Sequence, residues 1–336
     1  MARRLGALLL LCATHAHASG DRLLSAGPLS ARQLRAYERD GVILVRGLLS
    51  PDEVRAAVAA AEEIQRCSTT QSLHVSPALR HVALHSRAPA IVAQLMTHAQ
   101  LPGKGTPPIA GAPAALPPGE QEAGQEVRVL KDAFLSYEPG KSGCGWHRDD
   151  RFFWPCPENE GPGVNVWVAL SSYSPRHGGG LAVSRGSFRA PWRDRAINAI
   201  SSQTCALAEL NPRLNRLVDK GRKEWRMEPG DAIVHARHCF HKGVPFTKAG
   251  LRSYTKKSSS PLLRYSVRYM PASSSLDKGS FDPAVTKLKL GGKQLRELGW
   301  RYPRCWPDVD PAEEAQLELV QRASAKLARA QVTRGS

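Results

Sequence analysis

Three positions of two residue types define the chemistry open to this chain. His147 and Asp149 stand two apart in GWHRDD, and a further histidine, His241, lies in PGDAIVHARHCFHKGVP. Imidazole nitrogen and carboxylate oxygen are donors that iron(II) accepts. Two histidines and one carboxylate on one face of the ion leave three positions for a co-substrate and oxygen. In an extended segment residues i and i+2 point the same way. His147 and Asp149 can therefore reach one ion, while Asp150 faces the other side. A His-x-Asp pair alone is a weak signal. It gains weight from the Pro229–Asp231 turn, the apolar strand after it and the histidines beyond. Spacing leaves His235 and His238 open as alternatives to His241. Cys239 shares the face of His241 and reads as a pocket wall or as a buried apolar thiol.

Positioning these groups requires strands, and the pattern supplies them. The apolar period is two in Val127 to Tyr137, Val164 to Leu170, Leu181 to Ser184, Ala232 to His235 and Arg264 to Met270, with turn clusters such as EPGKSG, SPRHGGG and EPGD between them. Many short strands with Gly/Pro turns predict a sandwich or barrel. Before them, Ser30 with Gln33 and Ser50 with Glu53 form two capping boxes, the second with Pro51 at the first helical position. The first predicts a helix with Leu34 and Tyr37 on its apolar stripe, ending at Gly41, followed by a strand over Val42 to Val45. The second predicts a helix burying Val54, Ala57, Val58, Ala61 and Ile64. Residues 102–126, rich in Pro, Gly and Ala, read as a long flexible loop. Arginine-rich residues 189–226 read as helices or loops between strands, and a final helix is expected from Pro311 to about Gln331. Gly178 to Gly180 reads as a tight turn between strands and not as a phosphate loop.

The chain has 336 residues, 42% hydrophobic and 23% charged, with a formal net charge of +17. That composition is ordinary for a globular protein. The first 18 residues, with Arg3 and Arg4, an apolar run and Ala16-His17-Ala18, have the form of a secretory signal peptide and imply a secreted or secretory-pathway protein. An organelle leader containing such a signal is the alternative. The run is too short to span a bilayer, and no later segment reaches 18 apolar residues. Residues 241–300 carry 12 Lys/Arg against 3 Asp/Glu. Such a field suits an anionic small molecule or nucleic acid, or is merely solvated surface. Beyond the leader lie Cys67, Cys144, Cys156, Cys205, Cys239 and Cys305. No C-x-x-C occurs, which argues against zinc ribbons and thioredoxin-like redox sites.

Four segments in order give a resemblance. LSARQLRAYERDGVILVRGLLSPDEV, DAFLSYEPGKSGCGWHRDD, VWVALSSYSPRHGGGLAVSRGSF and PGDAIVHARHCFHKGVP resemble the phytanoyl-CoA dioxygenase-like iron(II)/2-oxoglutarate oxygenases over roughly residues 29–272. The resemblance implies a mainly β fold with flanking helices, a double-stranded β-helix of the jelly-roll, cupin-like kind. It implies a dioxygenase domain over 19–275 and a C-terminal extension over 276–336. It makes His147, Asp149 and His241 the catalytic metal ligands, Fe(II) the cofactor, and 2-oxoglutarate and O2 the co-substrates. 2-Oxoglutarate would be decarboxylated to succinate and CO2 while a small-molecule or lipid-like substrate is hydroxylated.

In this family an arginine binds the distal carboxylate of 2-oxoglutarate. Here the chain departs from the pattern. The expected register in LLRYSVRYMP falls on Leu262, two residues before Arg264. Arg264 would share its face, and Arg252 is the other candidate, with SYTKKSSSPL between them. Trp167 matches an aromatic that packs beside 2-oxoglutarate. Arg148, Phe152, Phe153 and Trp154 flank the metal turn and either meet substrate or cover the core edge. The competing reading is a non-catalytic metal- or nucleic-acid-binding jelly roll. The intact triad argues against it and makes a nucleic-acid role the lesser expectation.

Overall fold

A computed structural model describes residues 29–61, 64, 70–100, 126–138, 143–149, 152–157, 162–189, 207–257 and 261–334. The expected signal peptide, the loop up to residue 125, and Asp150, Cys67 and Cys205 lie outside the described residues.

The N-terminal elements form as their caps dictate. Helix α1 (Ala31–Asp40) starts at Ser30, whose Oγ accepts from the Gln33 amide while the Gln33 side chain accepts from the Ser30 amide. It ends at Gly41, whose φ of 69° is left-handed and whose N–H donates to Tyr37 O at 2.7 Å. Strand β1 (Val42–Val45) follows, then α2 (Pro51–Ala59) with its own capping box from Ser50 and Glu53. Val58, expected inside, is 37% exposed. It lies one residue past the buried stripe that contains Ala57. Two further helices, α3 (Pro77–Leu84) and α4 (Ala88–Gln100), complete this layer.

The strands form two antiparallel sheets. The larger has the order β1, β6, β3, β8, β2, β9, built from β2 (Val127–Tyr137), β3 (Val164–Ala169), β6 (Ala232–Ala236), β8 (Leu262–Pro271) and β9 (Arg304–Trp306). The smaller joins β5 (Arg222–Lys223), β4 (Leu181–Ser184) and β7 (His241–Gly243). The large sheet curls with helices on one face, the architecture of a jelly-roll, cupin-like oxygenase. Of the arginine-rich stretch 189–226, residues 190–206 lie outside the described residues, and the rest includes α5 (Leu207–Leu210) and α6 (Pro212–Lys220); α7 (Lys248–Lys257) lies between β7 and β8.

Side-chain parity assigns the two faces of the large sheet. On β8, Leu263, Tyr265, Val267 and Tyr269 pack into the apolar cluster beneath the helices, while Arg264, Ser266 and Arg268 face the concave side. On β3, Val164, Val166 and Val168 take the helical side, and Asn165 and Trp167 the concave one. On β2 the parity switches. Val129 and Phe134 both reach the helical cluster because a register shift between Val129 and Lys131 inserts a residue. That shift turns Ala133 and Leu135 inward. Tyr269 Oη donates to Ala83 O at 2.9 Å and Tyr265 Oη to Leu79 O at 3.3 Å, tying sheet to helices.

Residues beyond 275 are part of the same packing. Strand β9 pairs with β2, and helix α8 (Pro283–Lys287) contributes Val285 to a cluster with Leu130, Trp154, Cys156 and Met270. The last helix, α9 (Pro311–Arg334), receives hydrogen bonds from Arg80 to Gln321 (2.6 Å) and from Arg128 to Glu313 (2.9 Å). Lys131 Nζ donates to Asp282 Oδ2 and to Phe152 O, each at 2.8 Å, with only 2% of the lysine side chain exposed. Asp282 also caps α8 by accepting from the Ala284 amide. Removing one partner of a buried ion pair strands the other, at a cost of about 3–5 kcal/mol, whereas apolar replacement of both is far milder. Asp282→Ala should therefore lose stability of that order in urea unfolding, and Lys131→Met with Asp282→Leu should recover much of it.

Candidate metal and co-substrate site

The concave face closes on a cavity of about 270 Å³ between the sheets. At one side the backbone brings His147 and His241 together. Each amide donates to the other's carbonyl, at 3.0 and 2.9 Å, so the two residues form an antiparallel bridge. Residues paired in this way project their side chains to one face, and the ring centroids are 4.3 Å apart. A third backbone bond, from the Gly243 amide to Cys144 O at 3.0 Å, continues the contact between the two segments with a one-residue offset. Gly143 lies on Gly243 so closely that a Cβ at Gly143 would sit 2.7 Å from the Gly243 carbonyl oxygen.

Each imidazole is oriented by its own Nδ1. That atom meets Gly145 O at 2.7 Å in His147 and Cys239 O at 3.1 Å in His241. A carbonyl can only accept, so Nδ1 carries a proton in each ring and Nε2 is the nitrogen turned toward Asp149. Asp149 Oδ1 lies 3.8 Å from Nε2 of His147 and 3.5 Å from Nε2 of His241. The three ligand atoms lie within 4.8 Å of one another, a group that could hold a metal ion. Burial, then the neighbouring His241, pull His147 down to about 4, against the opposing pull of Asp149. Burial alone would raise the Asp149 carboxyl, but Arg268 and the two imidazoles hold it well below the usual range. A neutral His147 imidazole and an ionised Asp149 carboxylate are protonation states that metal binding requires.

The other two histidines lie outside this cluster. The His235 ring lies tilted at 4.9 Å from that of His241, but its Nδ1 meets Ala236 O and its Nε2 meets Asn165 Nδ2, both at 3.0 Å. Burial lowers its pKa to about 3. His238 Nδ1 meets Arg148 instead, at 3.3 Å. Cys239 packs in an apolar cluster, its Sγ 3.2 Å from Gly41 O. Phe153 lines the cavity, Phe152 lies under the Lys131 ammonium, and Trp154 is buried against the C-terminal region. Cys144 is disulfide-bonded, while Cys156, Cys239 and Cys305 are free buried thiols.

Two arginines reach the cavity from β8. Arg264 lies over the rings of Tyr137 (4.9 Å) and Trp167 (5.9 Å). Among the described residues no carboxylate pairs with it. Its Nε is buried without a hydrogen-bond partner, and one terminal nitrogen lies 3.4 Å from Gly179 O. Burial pulls its pKa below the ordinary arginine value. Arg252, the other expected candidate, is exposed on α7 and does not line the cavity. The helix takes up the chain after β7, so the arginine eleven residues past His241 never reaches the sheet. Arg268, which sequence reasoning passed over, donates to Asp149 Oδ2 from Nε (2.9 Å) and from a terminal nitrogen (2.6 Å). Its signal was the period-two spacing from Arg264. Asn165 and Ser266 were also missed. They line the cavity and are linked by a 2.8 Å bond from Ser266 Oγ to Asn165 Oδ1.

The sequence profile of the phytanoyl-CoA dioxygenase (PhyH) family matches residues 37–253. The chain belongs to this family. The match includes the triad and ends before β8, so Arg264 and Arg268 lie beyond it. Several solved structures share the family fold. The non-heme alpha ketoglutarate dependent carbocyclase SnoK from nogalamycin biosynthesis superposes with a TM-score of 0.53 at 21% identity, covering 79% of this chain and 92% of its own. The apoform of EctD from S. alaskensis gives 0.52 at 18% identity, covering 85% and 90%. The nickel complex of the non-heme monooxygenase ThoJ gives 0.50 at 12%, covering 90% and 99%. At these identities the likeness is one of fold. No curated protein sequence gives a significant match.

The Gly143–Gly243 contact is the tightest constraint on the bridge. Overpacking there costs about 1–3 kcal/mol. Gly143→Ala should lower the melting temperature and speed hydrogen exchange at the Gly243 amide more than in β8.

Proposed function

We propose that this chain is an Fe(II)- and 2-oxoglutarate-dependent dioxygenase that hydroxylates a small-molecule or lipid-like substrate. One observation carries the reading. Two imidazole nitrogens and one carboxylate oxygen converge in the same cavity as a buried arginine that no described carboxylate neutralises. The donor set fits iron(II) and leaves half its coordination positions open. A buried guanidinium without a counter-charge fits the distal carboxylate of the co-substrate, since its planar fork can bind both oxygens.

His147, Asp149 and His241 would hold the ion. Arg264 would anchor 2-oxoglutarate, with Trp167 and Tyr137 as walls and Ser266 beside it on the same face of β8. Iron with 2-oxoglutarate and O2 supplies the oxidation of an unactivated C–H bond, with succinate and CO2 released. The protein orients the reactants and excludes water. Leu135, Leu181 and Phe153 give the cavity its apolar lining. The basic residues around α7 and β8 favour an anionic substrate. No helix of the described residues is long and apolar enough to cross a membrane. The leader pattern and the disulfide at Cys144 support a secretory-pathway location, where disulfides persist.

Anaerobic titration with Fe(II) and 2-oxoglutarate should give a weak visible charge-transfer band. Adding O2 should then give slow succinate release, and both signals should vanish in His147→Ala and His241→Ala. A folded wild-type protein that binds neither component would overturn the reading. Salt-sensitive nucleic-acid binding without turnover would then favour a binding protein. Losing a charge-assisted pair costs about 1.5–3 kcal/mol, so Arg264→Ala should raise the 2-oxoglutarate Kd about 10- to 150-fold. Arg252→Ala should leave it unchanged. Product mass separates hydroxylation, which adds one oxygen, from an outcome that removes two hydrogens.

A further inference from the structure

We propose that Arg268 is a positioning residue that restricts Asp149 to coordination through one oxygen, keeping a coordination position at the metal free. The inference rests on the metal reading above and concerns how the carboxylate binds.

The two oxygens of Asp149 have separate surroundings. Oδ1 faces Nε2 of both His147 and His241, at 3.8 and 3.5 Å. Oδ2 accepts two hydrogen bonds from Arg268, at 2.9 and 2.6 Å. A carboxylate can bind a cation through one oxygen or both. Here the second oxygen is already engaged by a fork of two charge-assisted bonds. Turning Oδ2 toward the ion would break both.

Arg268 has little freedom to follow such a turn. It sits on the central strand β8, in register with Asn165 on β3 and Lys131 on β2. Its guanidinium lies 4.4 Å over the Phe153 ring, and its side chain is 6% exposed. The remaining terminal nitrogen is buried without a hydrogen-bond partner. Among the described residues, Asp149 is the carboxylate that pairs with it. If the carboxylate rotated, a buried guanidinium would be left without a counter-charge.

Counting positions gives the consequence. Three protein atoms leave three positions on a six-coordinate ion. 2-Oxoglutarate, bound through two oxygens, takes two of them. A two-oxygen Asp149 would fill the last, which the third reactant needs. Arg268 thus acts through Asp149, and its loss should change how many positions are open more than how tightly the metal binds.

Mn(II) provides a readout independent of turnover, because exchangeable water on the ion enhances solvent proton relaxation. The full-length wild-type protein with Mn(II) and saturating 2-oxoglutarate should retain the enhancement. Arg268→Met should bind Mn(II) within about threefold of wild type yet lose at least half of the enhancement. Arg268→Gln, with one donor in place of the fork, should fall between the two, and it carries the test if Arg268→Met does not fold. Equal enhancement in wild type and a folded, Mn(II)-loaded variant would overturn the proposal while leaving the metal reading intact. Failure of wild type to bind Mn(II) would overturn the metal reading itself.

Discussion

The backbone bridge between His147 and His241 is the constraint on which the site depends. Two reciprocal hydrogen bonds place both imidazoles on one face of a short ladder, and the alternation of an extended chain brings Asp149 to that face. Most of the remaining architecture serves this pairing. Strand β4 holds β7 in register from one side, and Gly143 and Gly243 let the incoming segment lie against β7 without a side chain between them. The Nδ1 contacts to Gly145 O and Cys239 O then set which nitrogen of each ring is presented.

Buried charge is the second organising element. The concave face carries one carboxylate of the triad and two arginines, in a cavity otherwise lined by aliphatic, aromatic and small polar groups. Arg268 balances Asp149, which keeps the carboxylate ionised despite burial. Arg264 has no such balance among the described residues and is stabilised only by aromatic faces and a carbonyl. An uncompensated buried cation is costly to maintain. That cost makes functional sense if a bound anion completes the site.

The region after residue 275 packs against the edge of the site from a distance in sequence. Asp282, the cap of α8, pairs with Lys131, and the same ammonium binds Phe152 O just past the metal turn. The inward parity of β2, set by its register shift at Val129, and the packing of Trp154 against Val285 join that edge to the cavity rim. Nothing in the composition of residues 276–310 announced this. The partners are far apart in the chain, and each is an ordinary polar or apolar residue on its own.

Local rules carried the sequence reading a long way. Caps at Ser30 and Ser50, the left-handed stop at Gly41 and period-two strands are all short-range effects, and those elements formed where those effects placed them. His147 and Asp149 were legible because two-residue alternation is itself local. The choice of His241 over His235 and His238 was not, since spacing offered all three. The strand pairing places His241 beside His147 and Asp149, and leaves His235 bound to Asn165 and His238 to Arg148. The arginine was likewise undecided along the chain. A helix at Lys248–Lys257 carries Arg252 to the surface, and β8 turns Arg264 and Arg268 inward. The sequence by itself determined which residue types could bind and which segments would be strands. Tertiary structure alone decided which of those groups meet, because register between distant strands depends on long-range hydrogen bonding and burial that no local pattern encodes.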